Sequence, residues 1–208
     1  MKKLLSTLFV LVAFVAVALA QTPEQIVSRM EAAVEQHDNE GVIMTVDAKI
    51  MLGTMSTKTY TRGGKTRMEV TMLGIDIITW TEGSTVWEYN SKTNSVEIKT
   101  IEALQGEESE SDIEMFKGIT EGYDVAIDKE TAQEWSLLCT KSKSNTSKDA
   151  PKKIELVIAK GTYMPVSLKT KMDGVTVTMR DISFGVTEEE VTFNAANFPG
   201  VTIEDKRQ

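Results

Sequence analysis

The chain has 208 residues, with 23 basic and 31 acidic side chains, one histidine and one cysteine. A net charge of −8 argues against nucleic acid and against electrostatic docking on anionic lipid. The lone Cys139 excludes an internal disulfide, so stability has to come from the core.

The first twenty residues, MKKLLSTLFVLVAFVAVALA, join two lysines to an apolar run that ends in Ala18-Leu19-Ala20, the layout of a secretory signal peptide. The apolar part, Leu4 to Ala20, is short for a bilayer-spanning helix, and a cleavable end follows it directly. Residue 21 is Gln and not Cys, so no amino-terminal lipid is expected. The expected mature chain is residues 21–208, a single domain free in the periplasm, with 21 basic residues against 31 acidic once Lys2 and Lys3 are gone.

Thr22-Pro23-Glu24-Gln25 opens a helix, with Thr22 as N-cap, Pro23 at the first helical position and Gln25 closing a capping box. Ile26, Val27, Met30, Ala33 and Val34 recur at helical spacing up to about His37, giving an apolar face that packs on a sheet or forms part of a lid. From Gly41 the period becomes two: Val42, Met44, Val46, Ala48, Ile50 and Leu52 alternate with Ile43, Thr45, Asp47, Lys49 and Met51. A hairpin then turns at Gly63-Gly64. Counting outward pairs Arg62/Lys65, Tyr60/Arg67, Lys58/Glu69 and Ser56/Thr71 on one face. Thr61/Thr66, Thr59/Met68, Thr57/Val70 and Met55/Met72 fall on the other, taken as the inner one.

Ile75 to Ile98 reads as a three-strand meander: a strand, a Glu82-Gly83 turn, a strand with Trp87 and Tyr89, an Asn90 to Asn94 loop, and a strand with Val96 and Ile98. The acidic, turn-rich Glu102 to Asp112 reads as a mobile loop, and a capping box at Ser111 and Glu114 starts a short helical segment through Phe116 and Ile119. It is a flap over the sheet or an ordinary surface connection. Strands follow at Tyr123 to Asp128, Glu134 to Lys141 and around Ile154 to Ile158, and Tyr163 to Met172 and Val175 to Phe184 flank an Asp173-Gly174 turn. There Met172/Val175, Thr170/Val177 and Leu168/Met179 are inner pairs, but Asp181 falls opposite Val166, so a bulge is expected near Pro165 or Asp181. Near-continuous meander with little helix argues for a mainly β fold: an unclosed antiparallel barrel, a strongly curved half-barrel of about 11–12 strands, with an N-terminal helix and a short helical lid.

The inventory for chemistry is thin. No HExxH, GxSxG, CxxC or Gly-rich phosphate loop occurs. His37 sits at the polar end of a helix, Cys139 shares a strand face with Trp135 and Leu137 as a buried small hydrophobe, and the acidic runs read as solvated faces. The expectation is a protein that is no enzyme and takes no cofactor or metal. Methionine is the distinctive residue, and Met44, Met55, Met68, Met72, Met172 and Met179 all fall on faces assigned inward, as a pliable ligand surface or as ordinary core.

Three stretches carry a family resemblance. Glu82, Gly83, Val86, Trp87, Tyr89 and Asn90 follow a "DG-x-x-LW-x-Y-(N/D)" pattern. Phe193, Pro199, Gly200, Val201, Ile203 and Asp205 follow "F-x-F-x-P-P-x-GV-x-V-x-D", with one Pro missing. Tyr163 to Pro165 follow "Y-(L/M)-P". In their order and spacing these resemble the bacterial outer-membrane lipoprotein carrier (LolA-like) family across the mature chain. The resemblance implies a periplasmic carrier that shelters acyl chains of lipoproteins or related lipids under a helical lid. Its implied partners are an inner-membrane release complex and an outer-membrane acceptor, and the carrier is expected to be a monomer. An envelope lipid- or protein-sensing module on the same half-barrel is the alternative.

Read this way, the cavity is lined by Met44, Val46, Met55, Met68, Val70, Met72, Trp87, Tyr89, Phe116, Leu168 and Met179. Arg62-Gly63 resembles the family's "R-P" pair, whose Arg holds the lid by bonding to lid backbone. The register puts Arg62 on the outer face, where it is equally a solvated strand-end residue. Intact-mass measurement of protein from the envelope fraction is expected to give a chain that begins at Gln21 and carries no lipid, because Ala18 and Ala20 present the small side chains signal peptidase accepts. A mass retaining residues 1–20 would contradict this.

Overall fold

The computed structural model describes residues 21–51, 53–101 and 112–207. Helix α1 (Pro23–Glu35) starts at the expected capping box: the Gln25 amide donates to Thr22 Oγ1, and the Thr22 amide donates to Gln25 Oε1 at 3.1 Å. Ile26, Val27, Met30 and Val34 are its buried stripe.

Twelve strands follow: β1 (Val42–Ile50), β2 (Gly53–Arg62), β3 (Lys65–Met72), β4 (Ile75–Glu82), β5 (Thr85–Asn90), β6 (Ser95–Thr100), β7 (Tyr123–Glu130), β8 (Glu134–Lys141), β9 (Lys153–Ala159), β10 (Pro165–Met172), β11 (Val175–Phe184) and β12 (Thr202–Asp205). They form one sheet in the order β12-β6-β5-β4-β3-β2-β1-β11-β10-β9-β8-β7, antiparallel except that β12 runs parallel to β6. The sheet does not close, and with α1 it gives the mainly β, unclosed architecture expected from the meander. A second short helix, α2 (Glu188–Val191), lies in the segment between β11 and β12.

The hairpin registers follow the turns. Arg62/Lys65 through Thr57/Val70 pair as counted from Gly63-Gly64, and Met172/Val175 through Leu168/Met179 as counted from Asp173-Gly174. The mismatch at Asp181 is absorbed twice. Asp181 takes a left-handed φ of 55° where the β1–β11 register shifts, and the β9–β10 register shifts between Pro165 and Ser167.

Two cores form, on opposite faces of the sheet. α1 packs Ile26, Val27, Met30 and Val34 onto Val42 and Met44 of β1, Leu137 and Cys139 of β8, Ile154, Leu156 and Ile158 of β9 and Leu168 of β10. Burial pushes the Cys139 thiol up to about 11, as suits a small hydrophobe and not a reactive thiolate. On the other face the segment after β11 crosses β2 and β3, where Val186 and Val191 bury Tyr60. Phe193 and Phe198 continue the line, meeting the Trp80 ring edge-on at 5.4 and 5.5 Å.

The expected helix from Ser111 is a single 3-10 turn, Glu114–Phe116, without a side-chain cap; Ser111 and the loop from residue 102 lie outside the described residues. The turn is held by tertiary contact. Ile113 and Phe116 are buried under α1, and the Gly118 amide donates to Glu31 Oε1 at 3.1 Å. Phe116→Ala is therefore expected to lower the unfolding free energy by about 3–5 kcal/mol in urea titrations, whereas Met68→Ala, at a site 39% exposed, is expected to cost under about 1 kcal/mol.

Candidate functional site

The β1–β2 ladder runs out to Ile50/Gly53 and the β3–β4 ladder to Met72/Ile75. The β2–β3 ladder between them stops at Thr57/Val70, so the pairs counted for Ser56/Thr71 and Met55/Met72 do not form. The two hairpins part there, and a cleft of about 840 Å³ opens between the parted ends. That volume falls within the ~300–1,000 Å³ of ligand sites in general. Met55, Val70, Met72, Leu73 and Ile77 supply its apolar wall. Ladder groups of β2 and β3 that would have paired across the split instead border the cleft, an edge that can take up polar atoms of a ligand.

The cleft's other wall is polar. Arg180 Nε donates to Asp47 Oδ2 at 2.7 Å and Nη2 to Oδ1 at 3.3 Å, and the Ser56 hydroxyl donates to the same Oδ1 at 2.5 Å. The Arg180 guanidinium, and after it the Ser56 hydroxyl, hold the Asp47 carboxyl below the usual carboxylate range. Thr71 donates to Asp76 Oδ1 at 2.7 Å, the Lys58 ammonium lies 4.9 Å from the centre of the Tyr60 ring, and hydrogen bonding to the Tyr60 side chain raises the Lys58 pKa. These groups are matched to one another.

The residues expected to form one cavity are divided by the fold. Met55, Val70 and Met72 line the cleft, and Met68 lies on the same face of the sheet, exposed. Met44, Leu168 and Phe116 are buried in the core under α1, and Val46 and Met179 are half-buried against it. Trp87 and Tyr89 stand on the opposite face. The registers chain Tyr60, Arg67, Trp80 and Trp87 together, and the C-terminal segment covers them, with Trp87 stacked 6.0 Å from Phe193 and Tyr89 4.8 Å from Phe198. Tyr89 also borders the cleft from that side. Asp47, Ser56 and Arg180 were not expected at the site. Their meeting depends on β1 pairing with β11, a closure between distant segments that local spacing does not signal.

Arg62 is a clamp on backbone. Its Nη1 donates to the carbonyl of Glu40, at 3.1 Å, before β1, and to that of Val186, at 2.5 Å, where the C-terminal segment leaves β11. Its neighbour Gly63 donates to Asp112 Oδ1 at 2.9 Å, at the start of the stretch that leads to the 3-10 turn. Two further basic residues continue the line: Lys65 pairs with Glu188 and Glu82, and Arg67 reaches the Glu190 carbonyl at 3.5 Å.

The site is thus a split in an unclosed antiparallel sheet, with a helix on one face and an aromatic strap on the other. No family model matches the chain, and no curated protein matches it. Among solved structures it is similar to the Mycobacterium tuberculosis lipoprotein LppX, at 13% identity and a TM-score of 0.48 over 79% of this chain and 97% of that one. It is also similar to a LolA superfamily protein from Nitrosomonas europaea, at 10% identity and a TM-score of 0.31 over 85% and 100%. A third likeness is to MucB in the MucA/MucB complex of Pseudomonas aeruginosa, at 12% identity and a TM-score of 0.40 over 81% and 61%.

Arg62→Leu leaves two carbonyls without a charged donor, one of them partly buried. It is expected to cost about 1–3 kcal/mol in urea unfolding and to speed amide exchange in residues 186–191. An unchanged midpoint with unchanged exchange would remove Arg62 from the clamp.

Proposed function

We propose that this protein is a periplasmic carrier that shields acyl chains of a lipoprotein or a related lipid while they cross between membranes. The observation that carries the reading is the run of uncovered apolar side chains on one face: Met55, Met68 and Met72 are 39–49% exposed and lead into the apolar wall of the cleft. Grouped apolar side chains left in water mark a surface with an occupant. Methionine suits an occupant of variable shape, because its unbranched chain repacks at little cost. An acyl chain is the fitting cargo, since at ~0.8 kcal/mol per methylene it forfeits roughly 10 kcal/mol in water and cannot cross unshielded.

On this reading the site binds and releases, and catalyses nothing. The donor and acceptor are an inner-membrane release complex and an outer-membrane acceptor, and the protein works as a monomer. The polar wall of Ser56 and Arg180, both held by Asp47, faces the ester or amide end of the cargo, and the methionine wall its chain.

Delipidated protein titrated with a fluorescent fatty acid and with a triacylated lipopeptide is expected to bind both saturably. Met68→Asp, at an exposed position, and Met72→Asp, on the cleft wall, are expected to weaken binding at least about tenfold with the circular dichroism spectrum unchanged. No saturable binding of either probe by the wild-type chain would end the carrier reading.

A further inference from the structure

Five connections lie at one end of the sheet: the turns β1–β2, β3–β4, β5–β6 and β10–β11 and the long β8–β9 connection. In strand order β10-β11-β1-β2-β3-β4 three of these turns are neighbours, and each has an exposed apolar side chain at or beside it, with Asp173-Gly174 forming the β10–β11 tip itself. Met51 at the β1–β2 turn is fully exposed, Leu73 at the β3–β4 turn is 97% exposed, and Met172 beside the β10–β11 turn is 41% exposed. The flanking connections at the same end, Ser91-Lys92-Thr93-Asn94 and residues 142–152, are polar. So are the turns at the opposite end, Gly63-Gly64, Gly83-Ser84 and Gly161-Thr162. Among the described residues, the central turns at one end of the sheet therefore carry large exposed apolar side chains and the turns at the other end do not.

Leu73 is costly to the protein twice over. Its φ is 52°, followed by Gly74 at 77°, the same backbone shape as Asp173-Gly174 at 49° and 83°. That turn favours Asn, Asp or Gly at its first position, because left-handed φ crowds the Cβ of other residues. A leucine there, with its side chain in water, gains nothing from the rest of the chain. Strain and exposure at one residue point to a contact outside the molecule.

We propose that this end of the sheet docks on a lipid bilayer, with Met51, Leu73 and Met172 inserted as three prongs. At about 4.8 Å between strands the β10–β11 and β1–β2 tips stand about 10 Å apart, and the cleft separates the β1–β2 tip from the β3–β4 tip, so the prongs are separate projections. A fluid interface receives separate prongs to a depth of about 5–10 Å, where a protein partner would need three matching pockets. Lys49 and Lys171 sit just behind the tips, and among the described residues neither is in an ion pair, so both are free to reach headgroup phosphates. The chain's net negative charge leaves insertion, and not long-range attraction, to carry the binding. The cleft opens at this end, with Met55, Met72 and Leu73 on its wall, so a docked molecule would present it to the membrane. The docking inference goes beyond the carrier reading and stands without it.

The test is flotation of the mature chain with phosphatidylcholine vesicles, with and without phosphatidylglycerol. Flotation is expected with both. Met51→Ser/Met172→Ser, which lies outside the cleft, is expected to weaken partitioning about tenfold and to leave fatty-acid titration unchanged. Leu73→Asn is expected to weaken partitioning while holding or raising the unfolding midpoint, since Asn suits the left-handed turn. Thr93→Ala in the polar β5–β6 turn should float as the wild type does. Absence of flotation with either vesicle would overturn the proposal. So would binding that needs phosphatidylglycerol, disappears in salt and is untouched by the tip variants. Flotation without fatty-acid binding would end the carrier reading alone.

Discussion

A sheet has two faces, and a twelve-stranded one has more apolar surface than one thirteen-residue helix can cover. The chain answers by changing sides. α1 and the 3-10 turn cover one face over β1 and β8–β10, while the segment from Val186 to Phe198 covers the other over β2–β5. The crossover falls at β1 and β2, where Met44 is buried under α1 and its neighbour across the ladder, Thr59, already belongs to an uncovered face. What is left bare is the helix side of β2–β4, which is where Met55, Met68 and Met72 stand. The candidate site is a consequence of how the cover is shared out.

The strap that makes this possible is held by chemistry at both edges. Arg62, Lys65 and Arg67 grip its backbone and its Glu188, and inward of them the rings of Tyr60, Trp80, Trp87 and Tyr89 meet Val191, Phe193 and Phe198. The ion pairs are partly exposed and each contributes little. The aromatic contacts carry most of the stabilisation, since large rings bury the most apolar area and their edge-to-face pairs add about 0.5–1.5 kcal/mol each. A charged clamp over an aromatic seam fixes the strap's register, and β12 can then add to β6 in parallel.

Much of this was legible locally. The capping box of α1, both two-residue hairpins and the strain near Asp181 follow from spacing, because turn length and side-chain period fix register over a few residues. Period two, however, says that two faces differ and not which one is covered. The spacing reads the face of Thr59 and Met68 as inner and that of Tyr60 and Arg67 as outer, yet it is Tyr60 that is buried. The signal lay in the chain of registers that sets Tyr60, Trp80 and Trp87 on one face, with Phe193 and Phe198 downstream to meet them. The cleft was illegible for a different reason. A ladder that stops early is decided by the twist between two hairpins, and the residues beyond Thr57 and Val70 alternate as regularly as those before.

The early stop also bears on what kind of binding the site can support. Were an acyl chain fully enclosed, its roughly 10 kcal/mol of hydrophobic gain would correspond to a dissociation constant near the tens of nanomolar, and unloading would be slow. Side chains that keep 39–49% of their surface in water after folding offer walls that enclose only part of a chain. Recovering about half of that energy moves the constant toward the sub-millimolar range, where an acceptor with a closed pocket wins by mass action. A split between hairpins adds a second lever. β2 and β3 are joined firmly from Thr57/Val70 to the Gly63-Gly64 turn and not beyond, so their free ends can part further without breaking a ladder pair. Loading and release then need only local movement at one end of the sheet, while both cores stay packed.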